Sequence, residues 1–270
     1  MTPHEIPLLK SWLADFIAGF YSGDEEMKRA IRLKRVHTTR VAISIRRLGR
    51  ALGLAESDLY LAEAAALLHD VGRFPQYARY GTFRDRDSAN HGRLGLRVIN
   101  RSGLLAGVAP AERRHLARAV AFHNAARLPP LADQRSLFFL KLLRDADKLD
   151  IWRVVIGHHH HKGRMPKVVN QFDYSGNGRC SPAVLSAVTS GRTVPIEAVR
   201  SVCDATLLYI SWVFDLNFAA SLRETLRGGY LERLAATAPP AIEIRYALQT
   251  ARGYARRKSS AAAGIENPSV

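Results

Sequence analysis

Apolar positions recur at helical spacing through most of the chain, and no stretch before Gly157 alternates as a strand would. Residues 4–21 predict an amphipathic helix with Leu8, Leu9, Trp12, Leu13, Phe16, Ile17 and Phe20 on one broad face. The Ser22-Gly23-Asp24 break offers an N-cap to a long helix reaching Leu52, where Gly53 ends it. Ser57 is the expected cap of the next helix, alanine-rich and apolar, which runs from about Asp58 into Leu67-Leu68-His69-Asp70-Val71-Gly72. Gly72 is expected to supply a permissive backbone at that helix end. Residues 73–87 read as an irregular, Arg- and aromatic-rich loop, a candidate substrate lip. Ser88 is the expected cap of a helix that Gly103 stops, Pro110 opens another, and Ser136 is the expected cap of a third. The core therefore reads as all-α.

The texture changes after Gly157. Residues 157–195 predict an irregular insertion or lid, within which His158-His159-His160-His161 reads as a polar loop, since consecutive histidines cannot all face one ion on a regular element. Helices resume over 196–256, and 257–270 reads as a disordered tail. The expected organisation is a helical core over 1–156, the insertion, and a C-terminal helical extension.

Several helices carry ionisable side chains on their apolar faces. His37 shares a stripe with Leu33, Val41, Ser44 and Leu48. His91 lies with Leu94, Gly95 and Val98, His123 with Leu116, Ala119 and Val120, and Asp147 with Leu140, Leu143, Ile151 and Val154. Burying a histidine beside a carboxylate, as at His69-Asp70, is costly unless something binds both, and a divalent metal stabilises an imidazole and a carboxylate together.

Read in order, these residues give H…HD…H…H…D, which resembles the HD-domain metal-dependent phosphohydrolase superfamily over about Arg32 to Val155. The resemblance implies an HD-type helical bundle holding one or two divalent transition-metal ions (Mn, Fe, Zn or Ni). The implied ligands are His37, His69, Asp70, His91, His123 and Asp147, with Asp70 placed to bridge two ions. It further implies hydrolysis of a small phosphorylated metabolite or nucleotide by a metal-activated hydroxide. Asp70, Arg73 and Lys148 are the catalytic candidates, the two cations as phosphate contacts. Asp145 is the second choice for the last ligand. Members that cleave cyclic dinucleotides carry paired histidines and a Gly-Tyr-Pro segment. Here His123-Asn124 and the His91-Gly92-Arg93-Leu94-Gly95 helix stand instead, which argues against that substrate. Two alternatives stay open: a diiron oxygenase of the inositol oxygenase-like type, and a non-catalytic nucleotide-sensing HD module.

Composition changes this picture little. Forty Lys and Arg against 24 Asp and Glu give a formal charge of +16, suited to anionic substrates. The basic residues are spread along the helices, with dense runs at 28–50, 144–153 and 245–258, and no aromatic–basic strip for stacking bases appears, so nucleic acid is not the favoured partner. The first ten residues show no signal-peptide core, no stretch has a membrane span's apolar length, and two cysteines, Cys180 and Cys203, give no disulfide framework. The expectation is a cytoplasmic protein with no membrane partner.

Overall fold

The computed structural model describes residues 1–21, 23–160, 172, 174 and 178–261. It is all-α, with no strand among those residues. No helix among them is long and apolar enough to cross a membrane. The chain divides into two compact units, the first over Met1–Asp150 and the second beginning at Ile151.

The first unit opens with α1 (Glu5–Ala18), which buries Ile6, Leu9, Leu13 and Ile17. Leu8 faces outward at 68% exposure, so the apolar stripe is narrower than the sequence predicts. The Asp24 carboxylate accepts the Met27 amide and caps α2 (Glu25–Ala51). This helix buries His37, Val41, Ser44 and Leu48 of the expected stripe, with Leu33 half-buried and Ile45 buried beside them, and packs on α3 (Glu56–Leu68). Nearly every residue of α3 from Leu59 to Leu68 is buried. Ala55, not Ser57, occupies the cap position of α3, and no side chain bonds there.

Residues 73–80 are not a loop. They form α4 (Arg73–Tyr80), because Phe74 and Tyr77 fall on one face and bury. Phe74 rests against Phe16 and Phe20, with ring centroids at 6.3 and 6.1 Å. A 3₁₀ turn at Asp85–Asp87 leads to α5 (His91–Ser102), capped by Asn90 rather than Ser88. Ser88 instead gives its hydroxyl to Arg84 O and receives Gln76 Nε2. Pro110 opens α6 (Pro110–Phe122), as expected. In α7 (Gln134–His160) the Asp133 carboxylate, not Ser136, receives the first-turn amides of Arg135 and Ser136.

In the second unit, α8 (Pro182–Thr189), α9 (Val202–Ser211), α10 (Ala219–Arg227), α11 (Tyr230–Ala235) and α12 (Ile242–Ala261) pack on one another. Val184, Val188, Leu207, Leu208 and Ile244 are among the residues of their shared core. The expected insertion is thus partly helical: α7 continues through Gly157 to His160, and α8 falls inside 157–195. Its centre lies outside the described residues, as does 262–270 of the expected tail; residues 257–261 belong to α12. Cys180 and Cys203 are joined in a disulfide, against the expectation of unpaired thiols. The Asp204 carboxylate accepts both the amide and the hydroxyl of Ser181, which brings the two cysteines' backbones to 5.0 Å.

Candidate metal centre

Six side chains from five helical segments meet inside the first unit. His37 comes from the middle of α2, and His69 and Asp70 from the end of α3. His91 is the first residue of α5, His123 directly follows the last residue of α6, and Asp147 lies midway along α7. Three overlapping groups have donor atoms within 4.8 Å of one another: His37-His69-Asp70, His69-His123-Asp147 and Asp70-His91-His123. All the predicted ligand residues are thereby brought together. Asp145, the alternative to Asp147, belongs to none of these groups.

Close backbone approach makes the assembly possible. Gly72 has an ordinary helical φ of −69°, so its freedom at positive φ is not what the site uses. A Cβ at Gly72 would lie 2.2 Å from His91 O and 2.5 Å from the Gly95 amide nitrogen. One at Gly92 would lie 2.8 Å from Val120 O and 2.9 Å from Ala121 O. These two glycines let α5 lie directly on the His69-Asp70 turn and on the end of α6.

The outer partners orient the rings. His69 Nδ1 donates to Ala66 O at 2.7 Å, and His123 Nδ1 to Val120 O at 2.8 Å, each to a carbonyl of its own helix. His37 Nδ1 donates to Asp150 at 2.9 Å and His91 Nδ1 to Asp85 at 2.8 Å. Every one of these partners accepts, so each ring carries its proton on Nδ1 and, when neutral, turns a lone pair on Nε2 inward. The Nε2 atoms nevertheless stand close: 3.3 Å for His37–His69 and 2.9 Å for His91–His123. Lone pairs facing at such distances need a positive charge between or beside them.

Asp70 lies between the two pairs. Its Oδ2 is 3.5 Å from both His37 Nε2 and His69 Nε2, while its Oδ1 is 3.5 Å from His91 Nε2 and 3.9 Å from His123 Nε2. Asp147 Oδ1 joins the first pair, 3.0 Å from His37 Nε2 and 3.8 Å from His69 Nε2. Nitrogen and carboxylate donors of this kind suit divalent transition ions.

Protonation follows the same division. Burial, and then the Lys34 charge, work against a proton on His37, but the hydrogen bonds to Asp147 and Asp150 prevail and raise it to about 9. Burial, aided by the Arg73 charge, lowers His91 to about 4 despite Asp85. His123 is pushed well down by burial and by the neighbouring His91 and His69. Burial opposes ionisation of Asp70, yet the charges of Lys34 and His69 hold it well below the usual carboxylate range. Asp147 is lowered too, its burial outweighed by His37 and His69.

Of the two predicted phosphate contacts, Arg73 adjoins the cluster, with Nε 3.4 Å from Asp70 Oδ1. Its Nη1 donates to Gln76 Oε1, Phe83 O and Asp85 Oδ1. Lys148 is buried. The basic run at 144–153 is also less of a surface feature than its text implies: Arg144 is buried and donates to His123 O and Ala125 O, closing the end of α6.

Several participants have no place in the sequence reading as site residues. Asp150 lies three residues beyond Asp147, and Lys34 three before His37, so the helical period alone puts each on its neighbour's face. Asn124, where a second histidine stands in other branches, donates to Asp85 at 2.8 Å. Gln76 donates to Asp85 at 2.9 Å as well. Asp85 opens a single 3₁₀ turn, too short for any periodicity to mark it.

The HD domain family model matches residues 35–152. The matched segment contains every member of the cluster, and the arrangement of its His and Asp donors is compatible with an HD-type metal site. No curated protein and no solved structure matches the chain.

If Asp150 holds His37 as a donor, Asp150→Ala should weaken divalent-ion binding by about 10–100-fold while the helical circular dichroism is retained. Isothermal titration with Mn²⁺ checks this; unchanged affinity would return Asp150 to a packing role.

Proposed function

We propose that the chain is a metal-dependent phosphohydrolase acting on a small phosphorylated metabolite or nucleotide. The division of Asp70's two oxygens between two histidine pairs is the observation that carries this reading, because it sets out two neighbouring donor groups, each of which would hold a divalent ion. His37, His69, Asp70 and Asp147 would hold one ion, and Asp70, His91 and His123 the other. Divalent ions bound at these donors supply Lewis acidity, lowering the pKa of coordinated water and neutralising phosphoryl oxygens.

The protein's own groups do the rest. Asp150 and Asp85 keep the His37 and His91 rings turned so that Nε2 faces inward. Arg73, fastened to Asp85 and Gln76, offers a fixed guanidinium beside Asp70 for a phosphate oxygen. Lys148 is the second candidate for that contact. The excess of basic residues favours the approach of anionic substrates.

The same donor set also fits a diiron oxygenase, and the test separates the two. Protein prepared anaerobically without a histidine-affinity step is reloaded with Mn²⁺ and offered a panel of phosphomonoesters and nucleotides without oxygen. Release of inorganic phosphate supports the proposal. Activity that needs iron and supplied dioxygen replaces it with the oxygenase reading. Metal and nucleotide binding without turnover replaces it with a sensor.

A further inference from the structure

Asp70 Oδ2, the oxygen turned to the His37–His69 pair, already has a fixed cation. Lys34 Nζ stands 2.7 Å from it. The Lys34 side chain is only 15% exposed, and its ammonium lies 5.5 Å from the centroid of the Phe83 ring. Its place one turn before His37 on α2 gives it little choice of direction. Asp70 Oδ1 is treated differently. The nearest Arg73 atom, Nε, is 3.4 Å away, and Arg73 Nη1 is committed to Gln76, Phe83 O and Asp85.

Two cations at one carboxylate oxygen repel, and burial strengthens that repulsion because little water screens it. An ion held by His37, His69 and Asp147 must share Asp70 Oδ2 with the ammonium or displace it. An ion held by His91 and His123 uses the oxygen that Lys34 does not touch. The ammonium therefore stands closer to the oxygen of the first position than Arg73 does to that of the second.

We propose that Lys34 is a positioning residue that lowers the affinity and speeds the release of the ion at the His37–His69–Asp147 position. This rests on the metal centre proposed above and concerns how that centre is loaded, not the reaction it performs.

The full chain, stripped with chelator, is titrated with Mn²⁺ by calorimetry, and ion release into excess chelator is followed by stopped flow. Lys34→Met should bind one of the two ions at least tenfold more tightly and release it correspondingly slowly. Lys34→Arg, which keeps the charge, should resemble wild type. Lys34→Gln, smaller and polar, repeats the test if circular dichroism shows that the Met variant is unfolded. Equal or weaker binding in the uncharged variants overturns the inference alone, since it would mean that the ammonium supports Asp70 as a ligand. Absence of saturable Mn²⁺ binding in wild type overturns the metal centre and this inference with it.

Discussion

Asp70→Ala should abolish saturable binding at both ion positions and reduce phosphate release by more than about 10³-fold, beyond the 10–100-fold typical of losing an outer partner. The expectation follows from geometry. His37 and His69 face one oxygen of Asp70 and His91 and His123 the other, so this one truncation takes a donor from both sets. It also strands two cations, Lys34 and Arg73, that now lie against the carboxylate. His123→Ala should instead weaken only the ion shared with His91. His115→Ala is the control: His115 is buried on the same helix, but its Nδ1 pairs with Ser136 Oγ at 2.8 Å, and it belongs to no donor group of the centre. Metal content by elemental analysis beside kcat/KM reads all three. One bound ion remaining in Asp70→Ala would show that the carboxylate does not bridge.

Gly72→Ala should cost roughly 3 kcal/mol, the upper end of what forcing extra volume into a packed site takes, and should lower Tm by about 10 °C. The added Cβ meets backbone on α5, at His91 O and the Gly95 nitrogen, which cannot rotate aside as a side chain can. Relief requires α5 to move off the His69-Asp70 turn, and His91 moves with it. The variant should therefore lose the His91–His123 ion more completely than the other. Gly157→Ala is the matching control. It lies inside α7 with nothing among the described residues within 4 Å of the added carbon beyond its own helix and should stabilise by up to about 1 kcal/mol. Equal melting temperatures for the two variants would show that the contact at Gly72 is not tight.

Helical periodicity reaches some of this and stops short of the rest. His37 among Leu33, Val41 and Leu48 is legible because burial repeats every three to four residues along α2. The same rule, carried one step further, marks Lys34 and Asp150, which share faces with His37 and Asp147. It fails for Leu8, which has the right spacing and stays exposed, because no element among the described residues covers it. It fails again at residues 73–80, where Pro75, Gly81 and the charges read as a loop, yet Phe74 and Tyr77 find partners and the segment becomes α4. Cap assignment fails where several polar residues compete: Ser57, Ser88 and Ser136 are each passed over, for Ala55, Asn90 and Asp133.

By itself the sequence determined the all-α class and marked the H…HD…H…H…D residues as candidates, because periodic burial and side-chain chemistry are written in residue type and spacing. Only the tertiary structure decided which donors share an atom. That Asp70 spans two histidine pairs, that Asp85 and Asp150 hold two of the rings, and that Lys34 claims one carboxylate oxygen all depend on how five helical segments cross. Those crossings are set by contacts between residues far apart in the chain, such as Gly72 against His91 O, which no local pattern encodes.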